Sequence, residues 1–338
     1  MSDTPLPRLS PGLAELGEPL VVPWQASTAL SDAFASIEVV RAELGTMRAS
    51  DTAASARALA AQLVEGTWPG GSWPVALDYA GHQFGRFNAA LGDGRVVQLG
   101  ECAGPDGLVE IGLKGVGRTA LASRGDGWAG TRECVAEFDT YRALQRLGVP
   151  TARGLLVVTG VREVHRGGRL EPVALLCRTA PSFVRFGCFE LHFRLGRHAA
   201  LQRLCDHVIP RHFPECAGHA DTVARFFDAV VARTARLYAA WQAVRFVHGV
   251  PNTDNQSIVG VTLDAAHGRL GEGVVDATVV HPDDRAERFA FGNQALTGWW
   301  NCRVLAAALS PLAAQSALHA ALDNYTPIYR SALADWVS

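Results

Sequence analysis

Residues 248–258, which read HGVPNTDNQSI, constrain this chain more than any other stretch. They follow a long helical pattern over residues 221–246, so they lie where a helix leads into a polar loop. Asp254 and Asn255 are adjacent, and Asp264 lies ten residues after Asp254. Carboxylate and amide oxygens are hard ligands that Mg²⁺ takes alongside phosphate oxygens. The segment therefore predicts a loop that can bind a metal ion together with phosphate.

The interval between His248 and Asn255 matches that of a known catalytic loop. Asn255 follows His248 by seven residues, as the metal-binding Asn follows the His in the catalytic loop of protein kinases. Kinases carry their catalytic Asp two residues after the His, but Val250 stands there in this chain. Asp254 is the only carboxylate in residues 248–258, so it becomes the candidate proton acceptor of a kinase-like site.

The composition of the chain favours a globular intracellular protein. It has 338 residues, of which 48% are hydrophobic and 19% are charged, enough for one large domain or two lobes. A net charge of −2 gives no electrostatic signature of nucleic-acid or anionic-membrane binding. The seven cysteines include no C-x-x-C pair, and the N-terminus lacks the features of a secretory signal. We therefore expect a reduced, cytoplasmic protein with mostly buried thiols.

A strand and a helix carry the next candidate pair. Residues 107–114 alternate in polarity like a strand, and Lys114 stands at its end. Residues 131–147 read as a helix that carries Glu137, 23 residues after Lys114. A strand Lys held by a helix Glu is the phosphate-binding arrangement of kinases. The alternative is a solvated strand-end Lys and a surface Glu, but the two kinase-like patterns together favour the functional interpretation.

Two short loops place an Asp between glycines: Leu91–Arg95 (LGDGR) and residues 123–127 (SRGDG). Glycine backbone can approach phosphate closely, with Arg95 as a charged partner. The sequence LGDGR also suits an ordinary tight hairpin turn. Further along, Arg178 and Arg185 follow a predicted β-hairpin over residues 155–177, where they either grip a triphosphate or lie at the surface.

Two weaker signals lie elsewhere in the chain. Asp51 or Thr52 is positioned to cap a helix running to about Val64. The other signal is a set of cysteines and histidines, the side chains that bind zinc, but their spacing matches no usual pair of close ligand doublets. This set consists of Cys205, His207, His212, Cys216 and His219.

Eight segments together resemble one known family. In order they are YAGHQFG (79–85), LGDGR (91–95), LKGVGRT (113–119), SRGDG (123–127), the helix with Glu137 and Phe138, LCRTAPSFVRFGCFE (176–190), HGVPNTDNQSI (248–258) and FGNQ with WN (291–301). Their order and spacing resemble the selenoprotein O family, kinase-like proteins that act as protein adenylyltransferases. The resemblance covers residues 78–310, and the first 75 residues are not convincingly similar.

The resemblance implies an α+β, protein-kinase-like two-lobed fold, with a β-rich N-lobe that includes a key helix and a mainly α-helical C-lobe. Residues 76–185 would form the N-lobe, residues 186–338 a shortened C-lobe, and residues 1–75 a mostly helical N-terminal extension. In this family ATP binds in a flipped orientation, and AMP is transferred to Ser, Thr or Tyr hydroxyls of proteins. The implied cofactors are ATP and Mg²⁺ or Mn²⁺, and the implied partners are protein substrates, not nucleic acid or membrane.

The resemblance also implies roles for single residues. Lys114 would bind phosphate and pair with Glu137, Asp254 would accept the proton, and Asn255 and Asp264 would hold the metal. The remaining ATP-binding residues would be Gly92, Gly94, Arg95, Asp126, Gly127, Arg178 and Arg185, with Asp264 also contacting the nucleotide.

The loop after Asp264 departs from the family pattern. The family tends to read Tyr-Gly-Pro-Phe-Gly there, whereas this chain reads AAHGR over residues 265–269. Asp276 is therefore a rival metal ligand. Two other functions stay open: a kinase-like phosphotransferase that acts on a small molecule, and a nucleotide-binding pseudoenzyme of the pseudokinase type.

Overall fold

The computed structural model describes residues 6–47, 52–104 and 107–338, which form two compact units. Unit 1 comprises the described residues up to Asp78 together with Ala90–Ala143 and Ala152–Phe183. Unit 2 comprises Tyr79–Ala89, Leu144–Thr151 and Val184–Ser338. The described part of residues 1–75 thus contributes to unit 1 rather than forming a unit of its own.

Strands and helices are numbered here in chain order over the described residues. The strands are β1 (Val21–Pro23), β2 (Glu38–Ala42), β3 (Val75–Leu77), β4 (Gly81–Gln83), β5 (Arg86–Asn88), β6 (Val96–Gly104), β7 (Gly107–Lys114), β8 (Ala129–Gly130), β9 (Arg153–Arg166), β10 (Arg169–Ala180), β11 (Phe246–Val247) and β12 (Arg269–Leu270). The α-helices are α1 (Thr28–Ala33), α2 (Ala53–Val64), α3 (Thr131–Arg146), α4 (Phe186–Arg194), α5 (His198–His212), α6 (Thr222–Ala243), α7 (Gln294–Leu309), α8 (Gln315–Asp323) and α9 (Tyr325–Val337). Short 3₁₀ helices cover Gly12–Leu16, Leu44–Met47, Pro214–Cys216, Thr253–Asn255 and Phe291–Asn293.

Unit 1 is built on an antiparallel sheet. Within the described residues its order is β1–β3–β6–β7–β10–β9–β2, and β8 pairs with β10. Strand β7, helix α3 and the β9–β10 hairpin confirm the elements predicted over residues 107–114, 131–147 and 155–177. The register places Val96, the first residue of β6, opposite Lys114, the last residue of β7. The chain just before β6 therefore lies beside the end of β7.

Helices α2 and α3 pack on opposite faces of this sheet, because successive side chains of a strand point to opposite faces. Phe138 of α3 packs with Val157 and Leu176. Leu63 of α2 belongs to a separate buried cluster that contains the neighbouring strand residue Leu175. The predicted cap of α2 is present, since the Thr52 hydroxyl accepts a hydrogen bond from the Ser55 backbone at 3.1 Å, while Asp51 lies outside the described residues.

Unit 2 is mainly helical, and α6 contacts α7, α8 and α9. Two polar side chains of α6 anchor the loop that follows it. The Trp241 indole donates to the Thr262 hydroxyl at 2.9 Å, and the Tyr238 hydroxyl bonds to the Gln256 side chain at 2.8 Å. The loop over residues 248–264 is therefore held to α6 at its middle and near its end.

Two further properties hold for the described residues. None of the described helices is long and apolar enough to cross a membrane. All seven cysteines lie in the described residues, where they are buried and form no disulfide. This confirms the prediction of buried thiols.

Candidate active site

A buried charged cluster lies at the end of β7 in unit 1. The predicted contact is present: the Lys114 ammonium lies 2.5 Å from the Glu137 carboxylate on α3. The other carboxylate oxygen of Glu137 accepts from Arg178 at 2.6 Å and from the Tyr141 hydroxyl at 2.7 Å. Glu137 and Arg178 are both fully buried. Arg178 is therefore an interior partner of Glu137, not a surface arginine.

Glu133 also joins this cluster, and the sequence interpretation missed it. Its carboxylate accepts from both ends of the Arg95 guanidinium, at 2.6 and 2.9 Å, and lies 2.8 Å from the Lys114 ammonium. Burial alone would raise the pKa of Glu133, but the charges of Lys114 and Arg95 outweigh it and hold this pKa well below its usual range. The four-residue spacing from Glu137, which puts both carboxylates on one helix face, was the signal available in the sequence.

The alternative interpretation of Leu91–Arg95 as an ordinary hairpin turn is wrong. Strand β5 pairs with β4, and β6 pairs with β3 and β7, so residues 91–95 connect two different sheets. The Asp93 side chain is buried and accepts from the Leu77 backbone at 3.2 Å, while its carbonyl accepts from the Thr119 hydroxyl at 2.7 Å. These bonds to distant residues, which local turn chemistry does not reveal, fix Gly92 and Gly94 beside Arg95.

The second Gly-Asp-Gly loop is held by an arginine. Asp126 accepts from Arg166 at 2.6 Å and from the Trp128 backbone at 3.0 Å. Burial acts to raise the pKa of Asp126, but these hydrogen bonds prevail and lower it. Gly127 has φ +77° and lies against the backbone of Gly117 and Arg118, where an added Cβ would come within 2.2 Å. Any side chain larger than that of glycine at position 127 would therefore clash with this backbone.

Gly127→Ala should destabilise unit 1 more than Gly125→Ala. Both glycines have positive φ, +77° and +73°, but an added Cβ at Gly125 meets nothing within 4 Å. The left-handed conformation alone costs about 1–2 kcal/mol, and the backbone clash at Gly127 adds about 1–3 kcal/mol or more. Thermal unfolding of the two variants measures the difference. Equal melting temperatures would contradict the close packing at Gly127.

Asp254 lies in the 3₁₀ turn Thr253–Asn255 of unit 2, and it is 7% exposed. Burial raises the pKa of its carboxyl to about 6, against the opposing effects of its backbone hydrogen bond and the charge of Arg185. Its Oδ2 lies 3.5 Å from the Gln83 amide nitrogen. Its Oδ1 has no hydrogen-bond partner among the described residues. Asp254 therefore offers an oxygen that can accept a proton.

The β4–β5 hairpin holds the Asp254 loop, a role that the sequence interpretation did not give to the YAGHQFG motif. The His82 backbone donates to the Thr253 hydroxyl at 2.8 Å, and the Phe84 backbone donates to the Asn252 side chain at 2.9 Å. A Cβ added at Gly81 would lie 2.7 Å from Asp254 Oδ1. These contacts join residues about 170 positions apart in the chain, and no local pattern predicts them.

The predicted metal ligands have the chemistry that a hard cation requires. The Asn255 amide nitrogen donates to the Val250 carbonyl at 2.9 Å, so its amide oxygen is the atom that would face a metal if Asn255 bound one. Asp264 is partly exposed, has φ +51° and accepts from Arg185 at 2.9 Å. Arg185 also donates to the Asp254 carbonyl at 2.8 Å. Arg185 thus links the backbone of the Asp254 turn to Asp264.

The zinc alternative gains no support from the geometry. Across the part of the chain that the structure describes, no three or more His, Cys, Asp or Glu side chains form a group able to hold a metal ion. His207 is buried and His212 is half-buried, and burial lowers the pKa of each to about 4. The rival ligand Asp276 is exposed, and its backbone carbonyl accepts from Gly292.

Comparison with known proteins identifies similar sequences. Residues 44–338 match the family model described as protein adenylyltransferase SelO. The chain is 45% identical over 278 residues to the protein nucleotidyltransferase YdiU of Chromohalobacter salexigens, which covers 82% of this chain and 56% of that relative. It is 41% identical over 320 residues to the protein nucleotidyltransferase YdiU of Xanthomonas axonopodis pv. citri, and this match covers 91% of this chain and 62% of that relative.

These matches set the extent of the similarity. The family match begins at residue 44 and reaches residue 338, so the resemblance predicted over residues 78–310 was too narrow at both ends. The chain spans between about half and three fifths of the length of these two curated relatives.

Proposed function

The chain belongs to the SelO family of protein adenylyltransferases, and we propose that it is a metal-dependent adenylyltransferase that transfers AMP from ATP to Ser, Thr or Tyr hydroxyls of proteins. The observation that carries the proposal is the contact between Lys114 and Glu137 at 2.5 Å. A buried carboxylate that fixes a lysine at a strand end is what phosphate binding by a kinase-like fold requires.

The proposed fold is that of a two-lobed protein kinase. The N-lobe would comprise residues 76–185 and the mainly helical C-lobe residues 186–338. The antiparallel sheet with α3 and the mainly helical character of unit 2 support this proposal. Residues 1–75 would be an addition to the N-lobe, since β1 and β2 extend its sheet.

The phosphates of ATP would bind to unit 1. Lys114 and Arg95 are the cations of the cluster with some access to solvent, whereas Arg178 is fully buried behind Glu137. Arg178 would act by keeping Glu137 charged and in place. Gly92, Gly94, Asp126 and Gly127 would shape the two loops that accompany the nucleotide. In unit 2, Arg185 and Asp264 are the residues to which the family resemblance gives a nucleotide-binding role.

Asp254 would accept the proton of the acceptor hydroxyl. The hydroxyl oxygen forms a bond to the α-phosphorus of ATP, the bond from that phosphorus to the bridging oxygen breaks, and pyrophosphate leaves. The released proton goes to a carboxylate oxygen of Asp254, and Oδ1 is the oxygen without a partner in the described residues. Such a positioned base typically contributes about 10²–10⁴-fold to the rate.

Asn255 and Asp264 would hold Mg²⁺ or Mn²⁺. Their amide and carboxylate oxygens fit a hard cation, and a magnesium site commonly takes one or two protein carboxylates and completes its shell with phosphate oxygens and water. When bound, the ion would supply positive charge that neutralises the phosphates. The chain's own contribution is to fix these two side chains through Val250 and Arg185.

Of the other functions, a small-molecule phosphotransferase is the second candidate. The departure of the loop after Asp264 from the family sequence was the reason to consider a pseudoenzyme. The matched family and relatives bear the names of transferases, and they give no support to a pseudokinase.

Intact mass spectrometry tests the proposal. The protein is incubated with ATP, Mg²⁺ or Mn²⁺, and a mixture of peptides that contain Ser, Thr and Tyr. We expect a mass increase equal to AMP on protein or peptide, and none with Asp254→Ala. An increase equal to phosphate would favour the phosphotransferase. No increase on any acceptor, with ATP bound, would count against an active enzyme.

A further inference from the structure

We infer that Glu133 is a positioning residue that holds Lys114 and Arg95 together as one clamp for the phosphates of ATP, and that it does so at the expense of binding affinity. The inference rests on the proposed function, because it takes Lys114 and Arg95 as the phosphate-binding cations. It adds a residue that the resemblance to the family did not assign.

The first support is the position of the two cations. Arg95 directly precedes β6, and Lys114 ends β7, with Val96 opposite Lys114 in the register. The backbone of Gly115 also bonds to the Arg95 carbonyl at 2.9 Å. Two positive side chains thus leave neighbouring strand ends, where they repel each other. An anion between the two side chains would offset this repulsion and allow both to face the same ligand.

Glu133 supplies the negative charge between Arg95 and Lys114. One of its oxygens lies 2.6 Å from Arg95 Nη2 and 2.8 Å from Lys114 Nζ, and its other oxygen lies 2.9 Å from Arg95 Nη1. The bidentate contact fixes the plane of the guanidinium as well as its distance. A single carboxylate therefore sets the separation and orientation of both cations.

Glu133 and Glu137 perform different tasks. Glu137 is fully buried and bonds to Lys114, Arg178 and Tyr141. The Glu133 side chain is 23% exposed, and that of Arg95 is 39% exposed. The Glu133 end of the cluster is thus the one that a phosphate from solvent can reach. Glu137 fixes the interior end of the cluster, and Glu133 aligns the end that meets the ligand.

This arrangement has two opposite consequences for ATP. A carboxylate beside the phosphate site repels the bound polyphosphate, so it weakens ground-state binding. The same carboxylate keeps the cations aligned for the transition state, and misplacement of about 1 Å can cost about 10²-fold in rate. Interactions that favour the transition state over the ground state raise kcat. Removing the charge of Glu133 should therefore tighten binding while it slows turnover.

The test compares Glu133→Gln with Asp139→Asn. The control removes a similar ion pair, since Asp139 lies on the same helix and outside the cluster, and accepts from Nε and Nη2 of Arg41 at 3.0 Å each. Calorimetry measures the binding of inorganic tripolyphosphate, kinetics measure kcat and the KM for ATP, and thermal unfolding monitors stability. For Glu133→Gln we expect a tripolyphosphate Kd about two- to tenfold lower and a kcat about 10–100-fold lower, with both unchanged in the control.

Tighter tripolyphosphate binding together with slower turnover is a combination that distinguishes a positioning role from a purely structural one. A purely structural role would lower stability and weaken both binding and turnover together, which would overturn the inference. Unchanged values in Glu133→Gln, equal to those of the control, would overturn it as well. A wild-type protein that binds tripolyphosphate but transfers no AMP would refute the proposed function alone, because the change in tripolyphosphate affinity still tests Glu133. A wild-type protein that does not bind tripolyphosphate would refute both.

Discussion

Replacing Glu137 by Ala is expected to lower the free energy of unfolding by about 3–5 kcal/mol, the usual cost of breaking a buried ion pair from one side. Glu137 is fully buried and accepts from Lys114 at 2.5 Å and from Arg178 at 2.6 Å. Without it, the fully buried Arg178 loses a charged partner, Lys114 keeps the Glu133 carboxylate but loses that of Glu137, and Tyr141 loses a hydrogen bond. The loss also removes the group that aims Lys114, so transfer should fail even in the folded fraction.

Urea denaturation measures this effect, and Asp139→Ala is the matched control. Asp139 lies on the same helix and pairs with Arg41 at 3.0 Å, with side chains 45% and 36% exposed, and exposed pairs typically contribute about 0–1 kcal/mol. The difference between the two variants measures the cost of removing Glu137 from the buried cluster. If Glu137→Ala is no less stable than Asp139→Ala, the buried cluster does not hold unit 1 in the way described above.

Replacing Asp254 by Ala is expected to reduce AMP transfer by about 10²–10⁴-fold, the range that a general base contributes. Binding of ATP should be retained, because the proposed phosphate contacts of unit 1 do not involve Asp254. The measurement is the initial rate of adenylylation beside the Kd for ATP. Transfer at the wild-type rate by this variant would refute the assignment of Asp254 as the proton acceptor.

Asp264→Ala provides the contrast for this prediction. Asp264 is a proposed metal ligand and a partner of Arg185 at 2.9 Å, so its loss should weaken the binding of ATP in the presence of Mg²⁺ or Mn²⁺. Asp254→Ala should thus be defective in the rate of transfer, and Asp264→Ala in metal-dependent binding of ATP. Equal binding defects would mean that Asp254 also contributes to the nucleotide or metal site.

The elements that the sequence predicted well are those whose signal is local. Strand β7 alternates in polarity, α3 ends before Gly148, and the β9–β10 hairpin turns at Gly167 and Gly168. The contact of Lys114 with Glu137 was predicted because a strand Lys followed 23 residues later by a helix Glu matches the phosphate-binding pair of kinases. The family resemblance was likewise carried by short motifs in order, and the family match extends it.

The missed features depend on residues far apart in the chain. An ordinary hairpin stayed open for the sequence LGDGR because Asp-Gly favours tight turns, but long-range bonds to Leu77 and Thr119 hold it as a connection between sheets. Glu133 was missed because a helix pattern does not say which strand ends meet its polar face. The partners of the Asp254 loop lie in a hairpin about 170 residues earlier.

The sequence alone thus determined which residues can carry phosphate and proton chemistry, since side-chain type and short-range spacing limit the possible roles. Only the tertiary structure decided which of these groups are buried, which carboxylate each cation meets, and which oxygen of Asp254 is left without a partner. The physical reason is that charge and hydrogen bonding act through distance and solvent exposure. Both quantities are set by packing between distant segments and not by neighbours in the chain.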